Sequence, residues 1–116
     1  MKKIDLKNPK SGDLKVWWIP QVPMKAFEYP VNSVQEGFIL LDALGMYDDF
    51  QFKNNIKPDY CNVGGLSVFD EGDVEEVDGI HYDGWSDWCS DMGDDIDFYL
   101  REENGLELLN NDLKAE

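Results

Sequence analysis

Histidine is almost missing from this chain. His81 is the only one in 116 residues. Ser-His-Asp and Cys-His chemistry needs a histidine set beside a nucleophile. His81 lies in an acidic stretch, Gly79 to Asp83, with aromatics nearby, and reads as a bystander. Cysteine is nearly as scarce. Cys61 and Cys89 are two residues without a Cys-x-x-Cys, too few for a disulfide scaffold. Two thiols in a cytosolic protein is the default reading. Together with His81 they lack the short spacings of a zinc site. No apolar run approaches the roughly 20 residues that span a bilayer. The start, Met1 to Lys10, has positive charge but no apolar run behind it, so it does not read as a signal peptide. A cytoplasmic protein is expected, with no membrane contact, catalytic residue, metal site or cofactor.

Positive charge is missing from one half of the chain. Residues 1–58 carry eight lysines against seven acids, net +1. Residues 59–116 carry two basic groups against eighteen acids, net −16, and the halves sum to −15. Such a charge repels nucleic acid and anionic membranes and attracts basic surfaces. Solubility alone does not need so one-sided a distribution. What is plentiful is apolar and aromatic residue, 42% and 13%, enough for one domain with a core.

The acids concentrate in Asp70 to Glu103, fourteen in thirty-four residues, opposed only by Arg101. Disordered acidic tails have few apolar residues. Here Val74, Val77, Ile80, Tyr82, Trp85, Trp88, Ile96, Phe98 and Tyr99 are interleaved, and they are expected to anchor the segment to a core. No register fits a calcium-binding EF-hand loop. With so many carboxylates, no single pair identifies a glycosidase. Gly64-Gly65 lacks the Lys-Ser/Thr of a phosphate-binding loop.

The pattern along the chain predicts α+β. Residues 1–13 form a flexible basic arm and 14–116 a single domain. Leu14 to Gln21 reads as a strand ended by Pro20, with Val16, Trp18 and Leu14 on one face and Trp17 and Ile19 on the other. Met24 to Val31 reads as a second strand closed by Pro30. Ser33-Val34-Gln35-Glu36 is a capping box, and the apolar spacing after it predicts a helix over about 33–45, with Gly45 as its C′ residue. Met46 to Lys57 leaves a short strand open. Asn62 to Gly65 reads as a loop, Leu66 to Phe69 as a strand, and Asp70 to Asp73 as a hairpin turn. Val74 to Val77 returns, bulged at Glu75-Glu76, and Asp78-Gly79 turns again. Ser86 is a candidate helix cap. Ile96 to Leu100 reads as helix or strand, and residues 106–113 as one last amphipathic turn. The sum is an antiparallel sheet of about four short strands, with one main helix packed on one face and an acidic C-terminal half.

The acidic surface carries the functional expectation. An extended strand rises about 3.3 Å per residue, close to the 3.4 Å per phosphate of a duplex strand. Asp73, Glu75, Glu76 and Asp78 on a strand therefore approximate a phosphate row. The expected partner-binding residues are Asp70, Glu71, Asp73, Glu75, Glu76, Asp78, Asp83 and Asp87. Asp91, Asp94, Asp95 and Asp97 extend the surface, and Trp85 and Trp88 serve as aromatic anchors. The expected partner is a basic nucleic-acid-binding host protein.

The blocks VWWIPQVPMKAF and NIKPDYCNVGGLSVFD and the acidic DGW segment resemble a family of small proteins of bacteriophages and mobile elements, over Leu14 to Asp97. The resemblance implies a phage-like setting and no particular site residue. Small acidic proteins there are often inhibitors of host defence, including anti-CRISPR and anti-restriction proteins. A non-enzymatic nucleic-acid mimic is thus the first expectation. A sponge for a nucleotide signal, using Asn62 to Gly65 and the tryptophans, is the second, and a phage structural protein the third.

Overall fold

The computed structural model describes residues 5–20, 25–54 and 62–114. Strand β1, Leu14–Ile19, stops before Pro20. Val16 is fully buried, and Leu14 and Trp18 pack against the same core. Lys15 and Trp17 alternate onto the other face. Strand β2, Phe27–Val31, pairs antiparallel with β1, setting Phe27 opposite Trp18 and Val31 opposite Leu14. It runs through Pro30 rather than closing there. β2 is an edge strand, where one side needs no ladder donor. The expected connection, Gln21 to Pro23, and Met24 lie outside the described residues.

Ser33 caps the main helix as its sequence predicts. Its Oγ accepts the Glu36 N–H at 3.0 Å, and the Glu36 carboxylate accepts from the Asn32 amide at 3.4 Å. Helix α1 spans Val34–Lys53. It passes the expected stop at Gly45 and takes up residues 46–53, where a strand was an alternative. An interior glycine costs only about 1 kcal/mol, and the turns beyond it are held. Asp49 pairs with Lys53 at 2.8 Å, Asp48 is buried and accepts from the Asn62 side chain, and Asn54 bonds the Phe50 carbonyl. A Cβ on Gly45 would meet nothing within 4 Å. Gly45→Ala is therefore expected to stabilise the protein by about 0.5–1 kcal/mol, read as a higher urea midpoint.

Strands β3, Val63–Val77, and β4, Ile80–Asp87, complete an antiparallel sheet in the order β2-β1-β3-β4. Asn62 to Gly65 is not a loop: Val63 to Gly65 already pair with Ile19 to Trp17. The glycines serve close approach instead of a turn. A Cβ on Gly64 would overlap the Trp18 ring, and one on Gly65 would lie 2.8 Å from Trp17 Nε1. Asp70 to Asp73 is not the hairpin turn either, since β3 continues through it. The chain reverses at Asp78-Gly79, with φ of 53° and 80°, the left-handed pair of a two-residue hairpin. Ser86 caps no helix; it lies in β4 opposite Val68. Next to the Leu14–Val68 pair, Gly12 N–H donates to the Phe69 carbonyl and Phe69 N–H to that of Asp13, both at 2.9 Å.

Helix α2, Ile96–Arg101, is capped by Asp95, whose Oδ1 accepts the Phe98 N–H at 3.1 Å. Helix α3, Gly105–Lys114, follows. The core joins Val16, Val31 and Leu66 of the sheet to Phe38 and Leu41 of α1, Ile96 and Tyr99 of α2, and Leu109 of α3. Each such side chain contributes on the order of 1.5–3 kcal/mol before entropy is subtracted. One long helix on an antiparallel sheet is the α+β arrangement the sequence predicts.

Candidate functional site: an acidic ribbon

Pairing with the rest of the sheet stops near Phe69. Beyond it β3 and β4 run on as a two-stranded ribbon, 70–83, in which every residue is exposed. Between the pairs Phe69/Trp85 and Val74/Asp83, the four residues 70–73 face the single residue Gly84. This bulge replaces the one expected at Glu75-Glu76, where the ladder is regular. Gly84 has φ +89°, and a Cβ there would lie 2.6 Å from Phe69 Cε1 and 2.8 Å from Val74 Cγ2. Only glycine lets the strands cross so closely. Bulges increase twist and redirect a strand, so this one aims the ribbon. From Gly84 to Ile80 the arm extends about 13 Å, at 3.3 Å per residue.

The ribbon carries seven of the expected partner-binding residues: Asp70, Glu71, Asp73, Glu75, Glu76, Asp78 and Asp83. His81 sits opposite Glu76, its Nδ1 3.9 Å from the carboxylate. Strand alternation divides the acids between both faces: Glu75 lies opposite Tyr82, Glu76 opposite His81. Val74, Val77, Ile80 and Tyr82, expected to anchor this stretch to a core, are instead exposed by 44–57%. The ribbon extends past every helix that could cover them. Val77 and Ile80 pair beside the turn and form an apolar tip. Sequence reasoning missed that tip. Its signal was the Asp-Gly turn flanked by Val77 and Ile80.

The other predicted residues lie elsewhere. Trp85, at the ribbon's base, is half-buried with its ring edge-on to Phe69 at 5.3 Å. Lys15 Nζ stands 4.3 Å over the Trp85 ring and pairs with Glu28. Trp88 packs on the core, 6.3 Å from the Tyr99 ring. Asp87, Asp91, Asp94, Asp95 and Asp97 follow the opposite end of β4 and the start of α2. Asp87, Asp95 and Asp97 line a cavity of about 120 Å³ with Trp17, Gly64 and Gly65. The acids thus form two groups at the two ends of β4.

Partial desolvation, with the neighbouring Asp95 charge adding to it, holds the Asp97 carboxyl above the ordinary carboxylate range. A folded pKa above the unfolded one means that the ionised group opposes folding at neutral pH. That penalty disappears as pH falls below the unfolded value, about 3.9. Asp97→Asn is expected to raise the thermal midpoint slightly at pH 7, and melts taken below about pH 4 should show no difference. Among the described residues no three His, Cys, Asp or Glu side chains are grouped to hold a metal. Nor is any helix there long and apolar enough to cross a membrane.

Fold and site define a small α+β scaffold that presents an acidic, apolar-tipped ribbon. The model of the superinfection exclusion gene product 17 family matches residues 13–105, and the chain belongs to that family. It is similar to the superinfection exclusion protein of Salmonella phage P22, with 54% identity over 82 residues, covering 67% of this chain and 78% of that protein. No solved structure matches the chain. The bacteriophage setting implied by the sequence resemblance is thereby established.

Proposed function

We propose that this phage protein acts in superinfection exclusion as a non-enzymatic binder in the bacterial cytoplasm. The acidic ribbon docks in a basic groove of a host protein that normally holds nucleic acid. The observation that carries the reading is the projecting ribbon: seven exposed carboxylates and an apolar tip. Carboxylates at this density steer a basic partner into contact. Val77 and Ile80 supply the apolar area that charge alone does not. Restriction and RNA-guided nucleases offer grooves of this kind, since a guide–target duplex lies in a positively charged channel. A nucleotide sponge is less well supported. The depression of about 560 Å³ that Trp18 and Asn62 line sets Asp42 and Asp49 against Arg101, and the cavity beside Gly64-Gly65 measures about 120 Å³, below the roughly 300 Å³ at which small-molecule pockets begin. Its polar walls are Asp87, Asp95 and Asp97, which repel phosphate.

Capture from a host lysate tests the proposal. A basic nucleic-acid-binding protein should be retained at low salt and released near 0.5 M, where screening reaches within a few ångströms. Co-purification of a small nucleotide with no basic protein would overturn it.

A further inference from the structure

The outer side of α1 is apolar where a surface helix is ordinarily polar. Its inner side buries Gly37, Phe38, Leu41 and Asp48. Opposite them, Met46 is 67% exposed, Tyr47 59%, Ile39 56% and Phe50 56%. Glu36, Ile39, Ala43, Met46, Phe50 and Lys53 follow one another at steps of three and four residues. That is the spacing of a helix–helix seam. The seam begins on an acid and ends on a base.

We propose that this face pairs with the same face of a second copy, the two α1 helices running antiparallel about a two-fold axis between positions 44 and 45. Three pairings then arise together, each occurring twice. Ile39 meets Phe50, small Ala43 meets long Met46, and Glu36 meets Lys53. An isologous contact requires a patch to complement itself, and this sequence does so in size and in charge. A parallel pair would set Glu36 on Glu36 and Lys53 on Lys53. Lys53 also pairs with Asp49 in its own helix, and the exposed Lys53 side chain can reach a carboxylate on either side.

The net charge of −15 does not forbid the contact. Residues 1–58, which include α1, are net +1, and the excess acid lies in residues 59–116. At physiological salt the screening length is about 8 Å, so local charges decide. The seam from Glu36 to Lys53 is about 27 Å long at 1.5 Å per residue. One helix face falls short of the roughly 800 Å² per partner of a standard interface. The dimer should therefore be weak, with Kd on the order of 10 µM.

Sedimentation equilibrium of the full chain from about 5 to 300 µM tests this. The wild type should pass from monomer to dimer across that range. Met46→Asp should weaken association at least 30-fold while leaving the circular dichroism spectrum unchanged. Lys53→Glu, which leaves the Ser33 cap intact, should weaken it several-fold. Adding Glu36→Lys to that variant removes the carboxylate that accepts the Asn32 amide, so its helix content is first matched to the wild type by circular dichroism; it should then restore association, because the exchanged charges face each other again. A wild type that stays monomeric to 300 µM, which includes the case of another protein covering this face, would overturn the proposal. So would a dimer indifferent to Met46→Asp, or a double exchange weaker than Lys53→Glu alone.

Discussion

Gly105→Ala is expected to destabilise the protein by about 3 kcal/mol, at the upper end of what overpacking a closed site costs. Gly105 is buried at the start of α3. Its N–H bonds the Glu102 carbonyl at 3.1 Å, and Glu102 N–H bonds that of Tyr99 at 3.2 Å, so the α2–α3 link is folded tightly back. An added Cβ would overlap the Tyr99 carbonyl and lie 3.2 Å from Phe38 Cε2. The obstacle is backbone, which cannot rotate aside. Relief would require parting α2 from α3 around Tyr99, which is fully buried, donates its hydroxyl to Asp112 at 2.7 Å and meets the Phe98 ring edge-on at 5.1 Å. A domain of this size has only about 5–15 kcal/mol to lose, so the thermal midpoint should fall by roughly 10 °C. The same substitution at Gly45 should act in the opposite direction. Urea melts of both variants beside the wild type check the pair. Equal midpoints would mean that the α2–α3 junction is not packed as described.

Neutralising the ribbon should abolish function without unfolding the protein. Asp73→Asn, Glu75→Gln, Glu76→Gln, Asp78→Asn and Asp83→Asn together change the net charge from −15 to −10. Each replacement keeps shape. Asparagine tolerates the φ of 53° at position 78, and at 83 it keeps an oxygen for the Trp85 N–H that Asp83 accepts at 3.1 Å. These groups are exposed, so each contributes only modestly to contact with a basic partner. Five of them still amount to an affinity loss of about 100-fold. The change in plating efficiency that the wild-type protein causes for a superinfecting phage should vanish, with the thermal midpoint unchanged or raised by relief of like-charge repulsion.

Much of the fold could be read from local chemistry. Alternation around Val16 gave the first strand and the residues that share each face, the Ser33–Glu36 box the helix start, and Asp78-Gly79 a turn. These signals act over a few residues. What stayed illegible depends on contacts distant in sequence. Gly45 looked like a stop because nothing nearby announces that Asn62 will hold Asp48. Gly64 and Gly65 looked like a loop because the tryptophans that need their bareness are on another strand. Asp70 to Asp73 looked like a turn because four residues opposite one glycine is a tertiary arrangement. For the site, the sequence showed which residues are acidic but not that β4 separates them into two groups. Trp88 read both as a core anchor and as a contact for a partner, and its packing against Tyr99, which depends on where α2 folds, decides for the core.

On the proposed function the ribbon, and not the overall negative charge, engages the partner. Two variants of equal charge separate these. One neutralises Asp73, Glu75, Glu76, Asp78 and Asp83 on the ribbon. The other neutralises Asp87, Asp91, Asp94, Asp95 and Asp97 at the far end of β4 and the start of α2. Both carry −10, and both should be assayed for their effect on plating of a superinfecting phage beside the wild type. The ribbon variant should lose that effect and the far-end variant should keep it. Equal losses, or a loss confined to the far-end variant, would contradict the assignment of the site to the ribbon.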